Sequence, residues 1–266
     1  DKNGIANSLN NIGGNYNQQG YYDKAIDYYT KSLEIEEEIG DKNEIANSLN
    51  NIGRVYYNQR DNDKAIDYFA KSIKIYQEIG DKNGIVNSLN LIGSVYQDQG
   101  DFDKAIENYT KSLEIGEEIE DIYGVANSLN NIGSVYDYQE NYDKAIEYFT
   151  KSLKIHEEME YKSGIAYSLN MIGSAYYYQG DFNKAMSYSK RSLAIKQEIG
   201  DVASIKSTAK RLWTWNKELG KFKESLEMYE LYIETRDSIV NVDMQKKIIQ
   251  QEYEKQAATD SLKAAE

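Results

Sequence analysis

Asparagine is the residue type whose spacing in this chain could do chemistry. Asn7 and Asn10 return as Asn47 and Asn50, Asn87 and Asn90, Asn127 and Asn130, and finally Asn170, in steps of 40 residues. A primary amide offers one acceptor and two donors, the set that satisfies the C=O and N–H of an extended peptide whatever side chains it carries. Beside the amides run two variable rows: Gly14, Arg54, Ser94, Ser134, Ser174 and Thr214, then Asn17, Tyr57, Gln97, Asp137, Tyr177 and Lys217. Arg54, Tyr57 and Tyr177 stand out there, because Arg and Tyr are favoured at interface hot spots and together hold a carboxylate or an apolar side chain.

Catalytic chemistry lacks parts. The chain has one His and no Cys, so neither a zinc cluster nor a nucleophile and base pair can be assembled. His156 sits in the acidic outer stretch of a helix, and the carboxylate pairs Glu36–Glu37 and Glu117–Glu118 read as ordinary helical surface. Glycine-rich phosphate loops are missing. No catalytic residue, metal site or cofactor is expected. A formal net charge of −13 argues against a nucleic-acid surface, which needs clustered Lys and Arg along the phosphates. Without Cys, the redox compartment stays open. No run approaches the roughly 20 apolar residues of a membrane span, so the segment itself is expected to make no membrane contact. Its first residue is Asp rather than Met, which reads as a piece of something longer.

The elements that must position the amides follow from the same period. NSLNNIG at 7–13 returns at 47, 87, 127 and, as YSLNMIG, at 167, while DKAIDYYTKSLEI at 23–35 returns in step. A fixed period of this length marks stacked supersecondary units that touch their neighbours. Ile5, Leu9, Ile12 and Tyr16 have helical spacing and predict helix A over 3–18; Asn3, Asn7, Asn10, Gly14 and Asn17 fall on its opposite side. Tyr22, Ala25, Ile26, Tyr29, Ser32 and Leu33 predict helix B over 22–39. Gly40 would end it in the left-handed region, and Asp41, with Glu44 at capping-box spacing, would start the next helix. Gly13, Gly53, Gly93, Gly133 and Gly173 cost a helix about 1 kcal/mol each; the expected return is close approach to Ala25 and its equivalents. Tyr16, Tyr56, Tyr96, Tyr136 and Tyr176 belong to the packing stripe, whereas Tyr57, Tyr138, Tyr177 and Tyr178 are expected at the surface.

The fold class is all-α, an α-solenoid. Five tandem units are expected at 1–40, 41–80, 81–120, 121–160 and 161–200, then a degenerate sixth at 201–240 in which Trp213 and Trp215 cap the core. A C-terminal exit helix is expected over 241–266, with Ile249, Tyr253 and Ala257 on one stripe.

Leu9, Ile12, Gly13, Tyr16, Gly20, Tyr22, Ala25, Tyr29 and Ser32 fall in the order and spacing of the tetratricopeptide repeat, which the chain resembles from residue 1 to about 240. Leu9 replaces the usual Trp, the chain has no Pro, and the customary unit of about 34 residues is extended to 40. It is thus similar to the longer-repeat branch that includes kinesin light chain. The resemblance implies a right-handed superhelix of antiparallel helix pairs whose helices A line a concave groove for a protein or peptide segment. Residues 229–240 with 245–256 are also similar to the stretch that leads, in bacterial tetratricopeptide sensor histidine kinases, toward a membrane helix. That second likeness implies the sensory region of a membrane-tethered signalling protein, on the periplasmic face. The alternative is a soluble cytoplasmic scaffold or peptide-controlled regulator. For the amides themselves the alternative is a solvated face copied along when the unit was duplicated.

Overall fold

The computed structural model describes residues 2–242, and no strand occurs among them. The helices are α1 (Lys2–Gln18), α2 (Tyr22–Ile39), α3 (Lys42–Asn58), α4 (Asn62–Ile79), α5 (Lys82–Gln99), α6 (Phe102–Glu118), α7 (Ile122–Tyr138), α8 (Tyr142–Glu158), α9 (Lys162–Gln179), α10 (Phe182–Glu198) and α11 (Val202–Glu218). Residues 222–242 form a further helix, α12. The exit helix expected over 241–266, with its Ile249, Tyr253 and Ala257, lies outside the described residues except for its first two. None of the described helices is long and apolar enough to cross a membrane.

Local chemistry sets the boundaries. Gly40 and Gly80 take φ of 81° and 73° at the ends of α2 and α4, where a Cβ would be strained. Asp41 accepts from Glu44 N at 3.2 Å and Asp81 from Gly84 N at 3.1 Å, each satisfying a donor that the new helix leaves unpaired. Four turns make the same reversal without glycine, at Arg60, Glu120, Glu140 and Glu160.

The chain divides into two compact units that meet in sequence at Met159 and Glu160. In the first, α1 packs on α2, α3 on α4, α5 on α6 and α7 on α8, and the odd-numbered helices also touch one another in succession to form one layer. In the second, α9 packs on α10 and α10 on α11. Every pair is locked alike. Ser32 Oγ donates to the Ala6 carbonyl at 2.7 Å, and Ser72, Ser112, Ser152 and Ser192 repeat the bond to Ala46, Val86, Ala126 and Ala166.

The helical glycines face aromatic rings, which refines the expectation of a glycine–alanine contact. A Cβ on Gly53 would stand 2.6 Å from Phe69, one on Gly93 2.5 Å from Tyr109, and one on Gly133 2.8 Å from Phe149. Those rings are at most 1% exposed. Ala25 and its equivalents are fully buried beside them. Ile5 and Ile12 depart from the expected stripe, at 52% and 38% exposed. Ile52, Ile92 and Ile132, on the face that packs against the preceding helix pair, are 7% exposed or less.

In the second unit Trp215 is buried and stacks on Tyr177 at 4.1 Å between centroids. Trp213 packs on Tyr229 and Tyr232 of α12. Both tryptophans serve the packing of this end.

Candidate functional site

The layer of α1, α3 and α5 carries a groove of about 540 Å³. Asn7, Asn10, Asn11, Asn47, Asn50, Asn51 and Asn87 line it together with Arg54 and Glu44. Packing of each helix pair on the next sets odd-numbered helices side by side, so equivalent amides on α1, α3 and α5 stand in rows.

The two rows singled out in the sequence do different things. Asn7 and Asn87 are exposed and Asn47 and Asn127 half-buried. Asn47 accepts from the Tyr76 hydroxyl at 2.6 Å and donates to Asn43 at 3.1 Å. Arg54 reaches Asn87 Oδ1 at 3.5 Å, the limit of a hydrogen bond. The other row, expected from the sequence to bind ligand, is also tied into the fold. Asn50 is 3% and Asn130 4% exposed. Asn50 Nδ2 donates to Ser88 Oγ at 2.9 Å, Asn10 Nδ2 to Ser48 Oγ at 3.2 Å, and Asn90 Oδ1 accepts from Ser128 Oγ at 3.4 Å. These bonds join one odd-numbered helix to the next. In the second unit Asn170 accepts from Arg211.

Helix phase explains the difference. Residues 10 and 11 lie about 100° apart on a helix; both border the groove, Asn11 exposed on α1 and Asn10 half-buried and turned toward Ser48. Asn11 and Asn51 were therefore missed, although the second Asn of NNIG was the available signal. Asn131, in the same row, donates to Asn90 at 3.4 Å.

The tyrosines divide as well. Tyr138 and Tyr178 are 66% and 62% exposed, as expected. Tyr57 is half-buried and its hydroxyl donates to Asp98 at 2.5 Å; burial, then that carboxylate, hold its pKa well above the ordinary value. Tyr177 is half-buried under Trp215, and its hydroxyl donates to Glu218. Its pKa is pushed up to about 12, by burial first and then by that bond.

A buried column was also missed. Glu36, Tyr76, Gly116, His156 and Lys196 are equivalent residues of α2, α4, α6, α8 and α10, and all five are buried. Glu36 and His156, read from the sequence as outer surface, are 2% and 1% exposed. The stripe Ala25, Tyr29, Ser32 continues to Glu36 in steps of four, three and four, so spacing announced what polarity concealed. Burial raises the pKa of Glu36 and lowers that of His156. Lys196 is lowered to about 8, by burial first and then by Arg211. No three His, Cys, Asp or Glu converge as metal ligands among the described residues.

Antiparallel helix pairs repeated every 40 residues around this glycine–aromatic core define an α-solenoid. A tetratricopeptide repeat model matches residues 4–78 and 84–158, and a second matches 165–199; the chain belongs to the tetratricopeptide repeat family. No curated protein matches the sequence. Among solved structures it is similar to BtubC (BKLC) from P. vanneervenii, at 20% identity and TM-score 0.74, over 82% of this chain and 92% of that one. A Rap protein complexed with Competence and Sporulation Factor matches at 17% identity and TM-score 0.64, over 88% and 75%. A STAND protein with a tetratricopeptide repeat sensor, from Pyrococcus horikoshii, matches at 18% identity and TM-score 0.70, over 92% of this chain and 38% of that one. At these identities the likeness is one of fold.

Proposed function

We propose that this chain is a non-catalytic binding module that holds an extended protein or peptide segment in the groove of α1, α3 and α5. The observation that carries the reading is the amide-lined groove itself: Asn7, Asn47 and Asn87 in one row, Asn11 and Asn51 beside them, and Arg54 at the edge. Asn127, on α7, extends the first row. An exposed helix face without a ligand would favour Glu and Lys, since Asn costs a helix roughly 0.5 kcal/mol relative to a strong former. Four such amides, at about 0.5 to 1.5 kcal/mol per hydrogen bond less the cost of ordering, correspond to micromolar affinity. Arg54 and Tyr57 would add selectivity for a carboxylate beside an apolar side chain. Tyr177, tied to Glu218 and Trp215, is better used in packing.

Within a longer protein the module would act as the sensory or interaction region of a signalling protein of the histidine-kinase kind. The repeat sensor of the Pyrococcus horikoshii STAND protein supports a sensory use of the fold. A peptide-controlled regulator or scaffold is the second reading, favoured by the Rap protein complexed with Competence and Sporulation Factor. The test is a peptide-library screen against the full chain, followed by titration of the selected peptide into protein with ¹⁵N-labelled asparagine. The side-chain amide signals of Asn7, Asn47 and Asn87 are expected to shift. A bound peptide that moves none of them would remove the groove from the function.

A further inference from the structure

The buried column of α2, α4, α6, α8 and α10 is where near-identical repeats differ in chemistry: a carboxylate, a phenol, no side chain, an imidazole and an ammonium. Its first member carries the most unusual surroundings. Glu36 is 2% exposed. Its Oε1 accepts from Asn10 Nδ2 at 3.0 Å and from Ser32 Oγ at 2.9 Å, but Oε2 is buried without a partner. A cavity of about 140 Å³ opens against this carboxylate, lined also by Asn3, Asn7, Asp41 and Glu44. That volume equals about four or five waters at their liquid share.

The two flanking carboxylates differ in availability. Asp41 caps α3 through Glu44 N. A capping box would return the Glu44 carboxylate to Asp41 N, but that N–H already donates to the Glu36 carbonyl at 3.1 Å. Glu44 is therefore released to face both this cavity and the 540 Å³ groove, which share it and Asn7. The charge that bears on Glu36 is Glu44's, of like sign. The Ser48 hydroxyl also bears on the carboxylate and favours its charge, but every donor around it is neutral, and a charge-assisted bond from a cation would offset the burial more strongly.

We propose that this cavity is a subsite for one cationic side chain, the guanidinium of Arg or the ammonium of Lys, carried by a segment lying in the groove. The proposal rests on the groove reading above and adds a charge requirement at its α1 end. The donor set favours an organic cation over a metal ion: among the described residues no three acidic or imidazole groups converge at ligand geometry. A guanidinium, with five N–H donors, can serve the carboxylates of Glu36 and Glu44 and the amide oxygen of Asn7 together. Burial, the largest cause of the raised pKa of Glu36, is opposed by any cation bound beside it.

The test uses single-residue probes with the full chain, so it reads the cavity independently of any peptide. N-acetyl-arginine methylamide, N-acetyl-lysine methylamide and the neutral isostere N-acetyl-citrulline methylamide are titrated while the ¹³Cδ signals of Glu36 and Glu44 are followed. A cationic probe is expected to bind at least tenfold more tightly than citrulline and to move both signals; the tighter of the two cations identifies the side chain. Glu36→Gln keeps an acceptor for Asn10 and Ser32 and should reduce that preference to threefold or less at a melting temperature no lower than wild type. Glu44→Gln, at a half-buried position, is the second variant should the first unfold, and it too should lower the preference. Equal affinity for charged and neutral probes, no response at either carboxyl, or full preference in the variants would overturn the subsite. The groove reading would survive that result, since its own test is the amide response to a selected peptide.

Discussion

In α4 the ring of Phe69 lies against Gly53 and is fully buried; at the same register in α12, Tyr229 meets Trp213 and is 38% exposed. In α2 the buried column holds Glu36 beside hydroxyl and amide donors, whereas in α10 it holds Lys196 near Arg211. The first unit thus repeats one solution, a glycine that admits a ring and an amide that bridges to the next helix pair. The second keeps the helix spacing and, in α9, Gly173 and Asn170, but Ser189 stands where the ring was and Asn170 pairs with Arg211. Period is carried by the turns and by the serine-to-carbonyl locks, and individual columns are then free to acquire charge.

If that comparison is right, the largest effect belongs to the glycine column. Gly93→Leu should drive side-chain atoms into Tyr109, which a Cβ would already approach at 2.5 Å, and cost about 3 kcal/mol; a denaturant melt within about 1 kcal/mol of wild type would remove the glycine–ring pairing from the account.

Next comes the buried cation of the second unit. Because the folded pKa of Lys196 lies at about 8 against an ordinary 10.5, the unfolded chain binds more protons between those values. Stability should therefore rise as pH climbs from about 8 toward 10.5, with the penalty fully present below 8. Lys196→Met should raise stability at pH 7 by about 1 to 2 kcal/mol, though it leaves Thr208, the partner of Nζ at 2.8 Å, to find another bond. That variant should also flatten the alkaline rise in a melting series. Glu36 has the opposite charge and the opposite sign. Its raised folded pKa makes the native state the better proton binder just above its ordinary 4.5, so its contribution to stability falls as pH rises through that window. Glu36→Gln should remove this slope.

Smaller still is Asn216, 1% exposed with both amide atoms unpartnered. Asn216→Leu should stabilise the second unit by about 1 kcal/mol, read as a higher melting temperature. Glu140, at φ 57° where other turns use glycine, gives the smallest change: Glu140→Gly should gain up to about 1 kcal/mol.

Much of this architecture could be read beforehand. Helix A expected over 3–18 is Lys2–Gln18, and helix B expected over 22–39 is Tyr22–Ile39, because the period recurs five times and most turns carry an Asp or Asn cap, Tyr21 and Tyr161 being uncapped starts. The groove was harder for a physical reason. Asn10 and Asn11 have the same polarity, so hydropathy cannot say which opens to solvent and which is drawn under the next serine. The column through Glu36 and Lys196 was concealed likewise, since ionisable residues read as surface although spacing placed them inside.

The central claim is that the two asparagine rows separate fold from binding, and two triple variants test it directly. With a peptide selected on the wild-type chain, affinity and melting temperature are measured for the groove residues Asn7, Asn11 and Asn87 changed together to Ala, leaving Asn47 to hold the Tyr76 hydroxyl, and for Asn10, Asn50 and Asn90 changed together to Ala. The account predicts that the first triple loses more than about tenfold in affinity with its melting temperature unchanged or slightly raised, as Ala is the better helix former. The second should melt well below wild type. A first triple that binds the peptide with wild-type affinity, or a second that melts with wild type, would contradict it.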